Sequence, residues 1–366
     1  MVRDAESMDL NEKRVLIIKQ SSLGDVIHTL PLVHALKRRY PGVFIGWVVE
    51  QGFAALVDQD DAVNVVYPIH IPSTSDPQAG RWAYWQAFAA TLATLSRLRR
   101  QFRVQPYDVI LDLHASFRSG LLGLTNPGGI RVGFADAREG NTWFQHRLVD
   151  NIAGHEHAIA RNLLFCRLFE CEADAEDFYL RSSPEDQARV DRFLGEAGLA
   201  PDDQIIYVNP TARWQSKFWL APRWSELCDQ LLAAGVHPVF GGSGSDVPYI
   251  SEITGAMTGK AVVAAGRLSL TESVALMKRA VVYVGLDTGP MHIAAMVGTP
   301  VVALFGPTHP ERVGPYGVEN VVIQAENLEC LCCRKRVCDH HSCMRGIAVA
   351  TVFDRVMALM KQASAP

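Results

Sequence analysis

The chain lacks any apolar stretch approaching the ~20 residues that a membrane-crossing helix needs, which argues against a helical span. It lacks a charge excess. Lys and Arg number 35 against 39 Asp and Glu, a formal net charge of −4, so its bulk does not point to nucleic acid as a partner. Its first dozen residues are polar and acidic and carry no apolar signal core. Residues 1–12 are therefore expected to be a disordered lead, and the protein cytoplasmic. It has no internal repeat, no G-x-G-x-x-G and no P-loop, which removes the two commonest nucleotide fingerprints. Its 366 residues suggest two or three domains, each long enough to bury a core.

What is present is a series of short apolar runs that end in polar loops. Val282 to Gly306 has the pattern of a buried strand, a tight loop, a short helix and a second buried strand. Asp287-Thr288-Gly289 opens the helix, where unpaired backbone N–H groups and the positive end of the dipole gather. Such a place can hold a phosphate or diphosphate. Gly289 lets the backbone approach an anion closely. Thr288 either caps the helix or donates to a phosphate oxygen. His292, one turn on, is either a structural histidine or a ligand contact.

Alone, that segment would be an ordinary strand–helix turn. A second polar loop changes the weighting. Arg14 to Lys19 is an apolar run without turn residues, as a buried parallel strand should be. Ser21-Ser22-Leu23-Gly24-Asp25 follows it. Apolar spacing at Ile27, Leu30, Val33 and Leu36 then predicts a helix over Ile27 to Tyr40, and Val43 to Val49 the next strand. Ligands of open parallel sheets sit outside the carboxyl ends of the strands, where Gly24 and Asp25 fall. Asp25 is either a helix cap or a carboxylate aimed into a cleft.

Tyr107 to Leu113 is another strand, ending in the loop His114 to Gly120. Before it, Gly80 to Phe102 predicts one amphipathic helix. Trp82, Tyr84, Trp85 and Phe88 lie on its first stretch, and Arg97, Arg99, Arg100 and Arg103 on or just past its end. It is either a surface helix with a solvated end or a face for an anionic membrane or substrate. A boundary falls within Leu180 to Gln204, giving an N-terminal domain over 13–190 and a C-terminal domain over 200–345. A terminal helix lies within 346–366. The expected fold is α/β, two Rossmann-like parallel-sheet domains with polar loops facing a cleft.

The second domain offers more chemistry. Gly241 to Asp246 is a Gly/Ser loop between strand and helix, in which Asp246 either bonds ribose hydroxyls or caps its helix. Asn209 to Trp224 is rich in aromatics and cations. Lys217, flanked by Trp214 and Trp219, is a candidate clamp for a diphosphate leaving group, with Arg213 as a second cation. Of eight cysteines, three are scattered and five crowd between Cys330 and Cys343. In a reducing compartment such crowding suggests metal or redox chemistry more than disulfides. Zinc or iron on Cys330, Cys333, Cys338 and Cys343 is one possibility, with His340 or His341 as a further ligand. Reduced or disulfide-linked loop cysteines are the other.

Several motifs now align with a known family. Lys19-Gln-Ser-Ser-Leu-Gly-Asp-Val-Ile-His-Thr-Leu-Pro31, Trp47 to Phe53, Lys217-Phe-Trp, Gly285-Leu-Asp-Thr-Gly-Pro-Met-His292 and Phe305-Gly-Pro-Thr308 resemble the ADP-heptose:lipopolysaccharide heptosyltransferases. They do so in order, from Arg14 to about Lys361. The N-terminal motif is most similar to the branch that adds the first heptose to Kdo-lipid A. The resemblance implies a two-Rossmann-domain glycosyltransferase (the GT-B architecture) and an inverting mechanism without a required metal or other cofactor. It puts Asp25 in the place of the general base and Lys217 in that of the diphosphate contact. Thr211 falls on a donor-phosphate contact. Asp287, Thr288, Gly289 and His292 fall in the donor loop, and Leu268 against the adenine. Ser22, Gly24, Arg81 and Arg118 fall on acceptor-binding positions. The partners implied are ADP-heptose and a lipopolysaccharide inner-core acceptor, met at the cytoplasmic face of the inner membrane. The chain departs from the pattern at Ala212, where the first-heptose branch has a hydroxyl residue, and in its cysteine cluster.

The residues fit that chemistry without the name, since inversion at a sugar carbon needs one acceptor-side base and stabilisation of the departing diphosphate. Asp287 sits awkwardly beside a diphosphate and is assigned to sugar hydroxyls. Three other readings remain open at this point. One is a related transferase with another sugar or acceptor. Another is a nucleotide-sugar epimerase on the same architecture, which would turn over donor alone. The last is a catalytically silent nucleotide-sugar-binding or iron-sensing module built on the cysteines.

Overall fold

The structure, a computed structural model, describes residues 7–72, 81–151 and 157–363. The chain divides into two compact units, Met1–Phe178 and Tyr179–Pro366. Each is built on one six-stranded sheet in which every pairing is parallel.

In unit 1 the strands are β1 (Arg14–Ile18), β2 (Phe44–Glu50), β3 (Val65–Ile69), β4 (Val109–Asp112), β5 (Ile130–Phe134) and β6 (Arg147–Val149). The helices are α1 (Leu23–Ile27), α2 (Leu30–Arg39), α3 (Gln51–Asp58), α4 (Arg81–Val104), α5 (Phe117–Gly123) and α6 (Ala158–Leu163). The sheet order is β3-β2-β1-β4-β5-β6. Val15 to Ile18 of β1 are fully buried, which is why the central strand is a continuous aliphatic run. Pro68, which cannot donate to a ladder, sits on edge strand β3.

The helix expected over Ile27 to Tyr40 is in fact two. Pro31 has no N–H to donate back to Ile27, so a helix entering from α1 cannot run through it. The break at His28 and Thr29 is stabilised by side chains. The Thr29 hydroxyl donates to the Asp25 carbonyl at 2.9 Å and Asn162 Nδ2 to the His28 carbonyl at 2.9 Å. The expected lead also needs correction where it is described. The Met8 N–H donates to the Leu168 carbonyl at 2.9 Å, and Leu10 is fully buried. Residues 1–6 lie outside the described part.

In unit 2 the strands are β7 (Ile205–Asn209), β8 (His237–Phe240), β9 (Val262–Val263), β10 (Val282–Leu286), β11 (Val301–Leu304) and β12 (Asn320–Ile323). The helices are α7 (Pro184–Glu196), α8 (Ala221–Ala233), α9 (Val247–Ala256), α10 (Leu270–Arg279), α11 (Gly289–Met296), α12 (Pro310–Val313), α13 (Ser342–Arg345) and α14 (Val349–Ala363). The order is β12-β11-β10-β7-β8-β9. Numbered from its own first strand, unit 2 repeats the 3-2-1-4-5-6 order of unit 1. The repeat is topological, with no sequence signature.

The boundary expected at residue 190 moves earlier, because α7 belongs to unit 2. Thr271 at the start of α10 donates to Asp186 at 3.1 Å, and the Arg267 guanidinium lies 4.8 Å over the Phe193 ring. The terminal helix α14 is likewise part of unit 2's core, where Val352 and Val356 are fully buried. Trp219 packs edge-on to Trp224 at 4.9 Å and donates its indole N–H to the Ile347 carbonyl at 3.2 Å. Those contacts anchor the chain immediately after Lys217. Among the described residues no helix is long and apolar enough to cross a membrane.

Candidate active site

In each sheet the strand order reverses direction at one place, between β1 and β4 in unit 1 and between β7 and β10 in unit 2. Loops leaving the two strands diverge there and open a crevice at the carboxyl edge, which is where doubly wound sheets bind ligands. Both crevices carry a lysine–aspartate pair.

In unit 1, Lys19 directly follows β1 and is only 8% exposed. Its ammonium donates to the Leu113 carbonyl at 2.8 Å, at the end of β4, and lies 3.6 Å from Asp25 Oδ1. The other Asp25 oxygen accepts the Ser22 N–H at 2.9 Å and the Ser22 hydroxyl at 2.7 Å. Asp25 is thus the third residue of α1 and closes a box with the N-cap Ser22, so both readings of Asp25 hold together. The side chain is still 44% exposed while Lys19 is 10%, so the carboxylate is the outward member of the pair. Partial burial opposes its ionisation. The Lys19 ammonium, the two Ser22 hydrogen bonds and His28 outweigh that and hold the carboxyl well below the usual carboxylate range. His114, two residues past β4, is held below the ordinary imidazole value by burial first and by the Lys19 charge second. Gly24 is buried in α1, Ser22 is exposed, and Arg118 lies half-buried in α5 at the same edge. Arg81 opens α4, and its side chain lies outside the described part.

In unit 2 the roles are exchanged. Asp287, directly after β10, is 5% exposed. Lys217 donates to its Oδ2 at 2.7 Å and to its carbonyl at 2.8 Å, and lies 4.9 Å over the Trp214 ring. Two of the three ammonium donors are therefore committed to Asp287. This pairing removes the difficulty of a carboxylate in an anion site. Thr288 is the N-cap of α11 by position, but its hydroxyl makes no cap bond and donates instead to Asn209 Oδ1 at 2.9 Å. Pro290, near the helix start, has no N–H, and Met291 N–H donates to the Thr288 carbonyl at 3.1 Å. The anion-binding capacity of this end thus concentrates on the backbone of Thr288 and Gly289. His292 and Thr211 are buried, and Arg213 is exposed. Asp246 accepts the Ser243 N–H and hydroxyl, each at 2.7 Å, and so caps its own turn. Leu268 is half-buried beyond β9. Its loop touches the Gly/Ser loop, since the Gly266 N–H donates to the Gly242 carbonyl at 3.1 Å.

Two tyrosines form the floor beneath these loops. Tyr207 and Tyr283 stack with centroids 5.7 Å apart. Their hydroxyls occupy the space a Cβ would need at Gly241 and at Gly285, so both positions require glycine.

The cysteine segment gathers several thiols, and Cys330, Cys338 and Cys333 lie near enough to Cys343 to help raise its thiol value, after burial. All eight cysteines are free thiols. Among the described residues no three His, Cys, Asp or Glu side chains are grouped to hold a metal, so the site expected on Cys330, Cys333, Cys338 and Cys343 is not assembled. Cys343 is buried in α13, Cys333 is exposed, and Cys332 turns inward to donate to the Thr308 carbonyl at 3.2 Å. What the segment does is brace the Lys217 loop. The Ser216 N–H donates to the Arg336 carbonyl at 3.2 Å and the Ser216 hydroxyl to the Lys335 carbonyl at 2.6 Å. Trp214 lies between two cations, Lys217 and, at 5.5 Å, Arg336.

Sequence reasoning missed Lys19, His114, Asn209 and Ser216 as site residues. Lys19 carried a usable signal, because a lysine that ends a buried strand must find a partner. Thr308 also carried one only in retrospect. Its hydroxyl is buried without a hydrogen-bond partner at the carboxyl edge after β11.

Comparison with known proteins shows the family and agrees with the fold. The glycosyltransferase family 9 (heptosyltransferase) profile matches residues 95–343. The chain belongs to that family and is a glycosyltransferase. A curated relative, lipopolysaccharide heptosyltransferase 1 of Pseudomonas aeruginosa, is 30% identical over 334 residues, covering 89% of this chain and 88% of its own. Among solved structures, a family 9 glycosyltransferase from Veillonella parvula superposes with a TM-score of 0.83 at 22% identity, covering 97% of this chain and 99% of that one. The E. coli heptosyltransferase WaaC with ADP gives 0.72 at 23%, covering 94% and 99%.

Proposed function

We propose that this enzyme transfers heptose from ADP-L-glycero-D-manno-heptose to a lipopolysaccharide inner-core acceptor, with inversion at the anomeric carbon, at the cytoplasmic face of the inner membrane. The observation that carries the proposal is the pair of crevices with opposite outward charge, a carboxylate in unit 1 and an ammonium beside a helix N-terminus in unit 2. The name of the Pseudomonas relative and the ADP held by the E. coli one support the donor and acceptor class.

In this reading Asp25 takes the proton from the acceptor hydroxyl. It is ionised at any physiological pH, but a carboxylate held so low is a weak base. An incoming hydroxyl that replaces Ser22 as the partner of Oδ2 would remove one stabilising bond and raise its basicity where it is needed. Lys217 spends its third donor on the diphosphate, and the Thr288 and Gly289 backbone shares the charge that develops on departing ADP. Asp287 holds Lys217 in place and offers its other oxygen to a sugar hydroxyl. Thr211, Arg213, Leu268 and His292 line the donor side, with Asp246 near them. Ser22, Gly24, Arg81 and Arg118 line the acceptor side.

The test is acceptor-dependent ADP release. Purified enzyme is incubated with ADP-heptose and either Kdo-lipid A or a core already carrying heptose, with Asp25→Asn as control. Transfer to one acceptor, lost in the variant, supports the proposal and names the acceptor. Conversion of donor with no acceptor present would replace it with an epimerase.

A further inference from the structure

The catalytic reading leaves the outward face of α4 unused. This helix has 24 residues, five arginines and no acidic residue. Its inward face carries Ala87, Leu98 and Phe102, all buried in the core of unit 1. At about 100° per residue, Trp85, Phe88, Leu92, Arg99 and Arg103 fall on a single exposed stripe, its centre about 110° round the helix from the inward face. Trp85 is 65% exposed and Trp82, on its flank, 75%. Trp85 and Phe88 meet edge-to-face at 6.1 Å. The stripe is apolar toward the N-terminus and cationic toward the C-terminus, over a length of about 27 Å at 1.5 Å per residue.

We propose that this stripe docks the enzyme on an anionic lipid bilayer, with the helix lying flat on the surface. The aromatic half sinks into the interfacial layer, where Trp with its amphipathic ring is favoured. Arg99 and Arg103 lie on the headgroups of the same plane, with Arg100 beside them. Charge separates this occupant from a second copy of the chain. A helix whose every charge is cationic is repelled by its own copy at that half, whereas an anionic surface attracts it. An amphipathic helix rich in arginine on its polar part and Trp, Phe and Leu on the other binds in the interface plane. The inference deepens the proposed function, since it rests on the acceptor being a membrane lipid.

The experiment is flotation of the full-length enzyme with vesicles of phosphatidylethanolamine and phosphatidylglycerol, or of phosphatidylcholine alone. The wild type should float with the anionic vesicles and much less with the neutral ones. Trp85→Ser/Phe88→Ser should weaken that binding about tenfold or more. Arg99→Gln/Arg103→Gln should weaken it about fivefold per arginine and cancel the anionic preference, as high salt should. Transfer to a delipidated, water-soluble acceptor should be unchanged in both variants. Equal binding to both vesicle types, or to neither, overturns the proposal. So does an oligomer that dissociates in Trp85→Ser/Phe88→Ser while vesicle binding stays the same. If the vesicle results hold but no acceptor receives heptose, the docking stands and the proposed function fails.

Discussion

The two units share one scaffold and invert its polarity. Both sheets run in the order 3-2-1-4-5-6, and both place a lysine and an aspartate where the order turns. In unit 1 the lysine is sunk and bonded to a strand-end carbonyl, while the carboxylate is left half exposed. In unit 2 the carboxylate is sunk, at 7% side-chain exposure, and the lysine at 15% is the outer partner. The buried member of each pair holds the outer member in place. The difference teaches that topology supplies the place for chemistry, while the depth of each side chain decides which charge a ligand meets.

The contrast can be broken first at Asp25. Asp25→Asn keeps the shape and the Ser22 contact, yet it should lower the transfer rate by about 10²–10⁴-fold, with donor affinity unchanged by calorimetry. An active variant would remove Asp25 from the chemistry. Next, Lys217→Met should cost about 10²–10³-fold in rate. It also leaves the Asp287 charge buried without its partner, which lowers the melting temperature. Lys217→Met/Asp287→Asn should recover the melting temperature but not the rate. Recovery of both would make the pair purely structural.

A subtler change sharpens the comparison through pH. Lys19 lowers the Asp25 carboxyl value, so Lys19→Met should move the acid limb of the pH–rate profile toward neutrality. The sign follows from linkage. A depressed carboxyl contributes stability above its unfolded value of about 3.9, and loses it as pH falls through the folded value. The wild type should therefore keep its rate to lower pH than the variant, and coincident profiles would show that Lys19 does not tune the base. The smallest effect is expected from Ser216→Ala, which unties the Lys217 loop from the cysteine segment. Donor KM should rise a few-fold with kcat nearly constant. An unchanged KM would show that the brace does not position Lys217.

Much of the scaffold was legible because buried parallel strands are written as aliphatic runs. Val15 to Ile18, Val109 to Leu111 and Val282 to Leu286 announce themselves. β5 carries Arg131 and Gly133, β3 carries Pro68, and β12 opens on Asn320, so these strands dissolve into their loops. The helix after β1 was overrun because apolar spacing continues across Pro31 while the backbone does not. The site was legible as motifs but not as pairs. Lys217 and Asp287 lie 70 residues apart, and no spacing rule joins them. Nor does the sequence tell that Ser216 would bond residues 335 and 336, or which of five crowded cysteines turns inward.

The tyrosine floor of unit 2 has a consequence for redesign. Because the Tyr207 and Tyr283 hydroxyls fill the hollows over Gly241 and Gly285, neither glycine can gain a side chain unless a phenol is removed beneath it. Remodelling this floor by a single glycine exchange is thus closed off. At Gly241 a side chain would need the Tyr207 phenol removed with it, whereas at Gly285 the Asn209 carbonyl would still stand 2.9 Å from the new Cβ, so reshaping there must fall on the loops that carry Arg213 and Leu268.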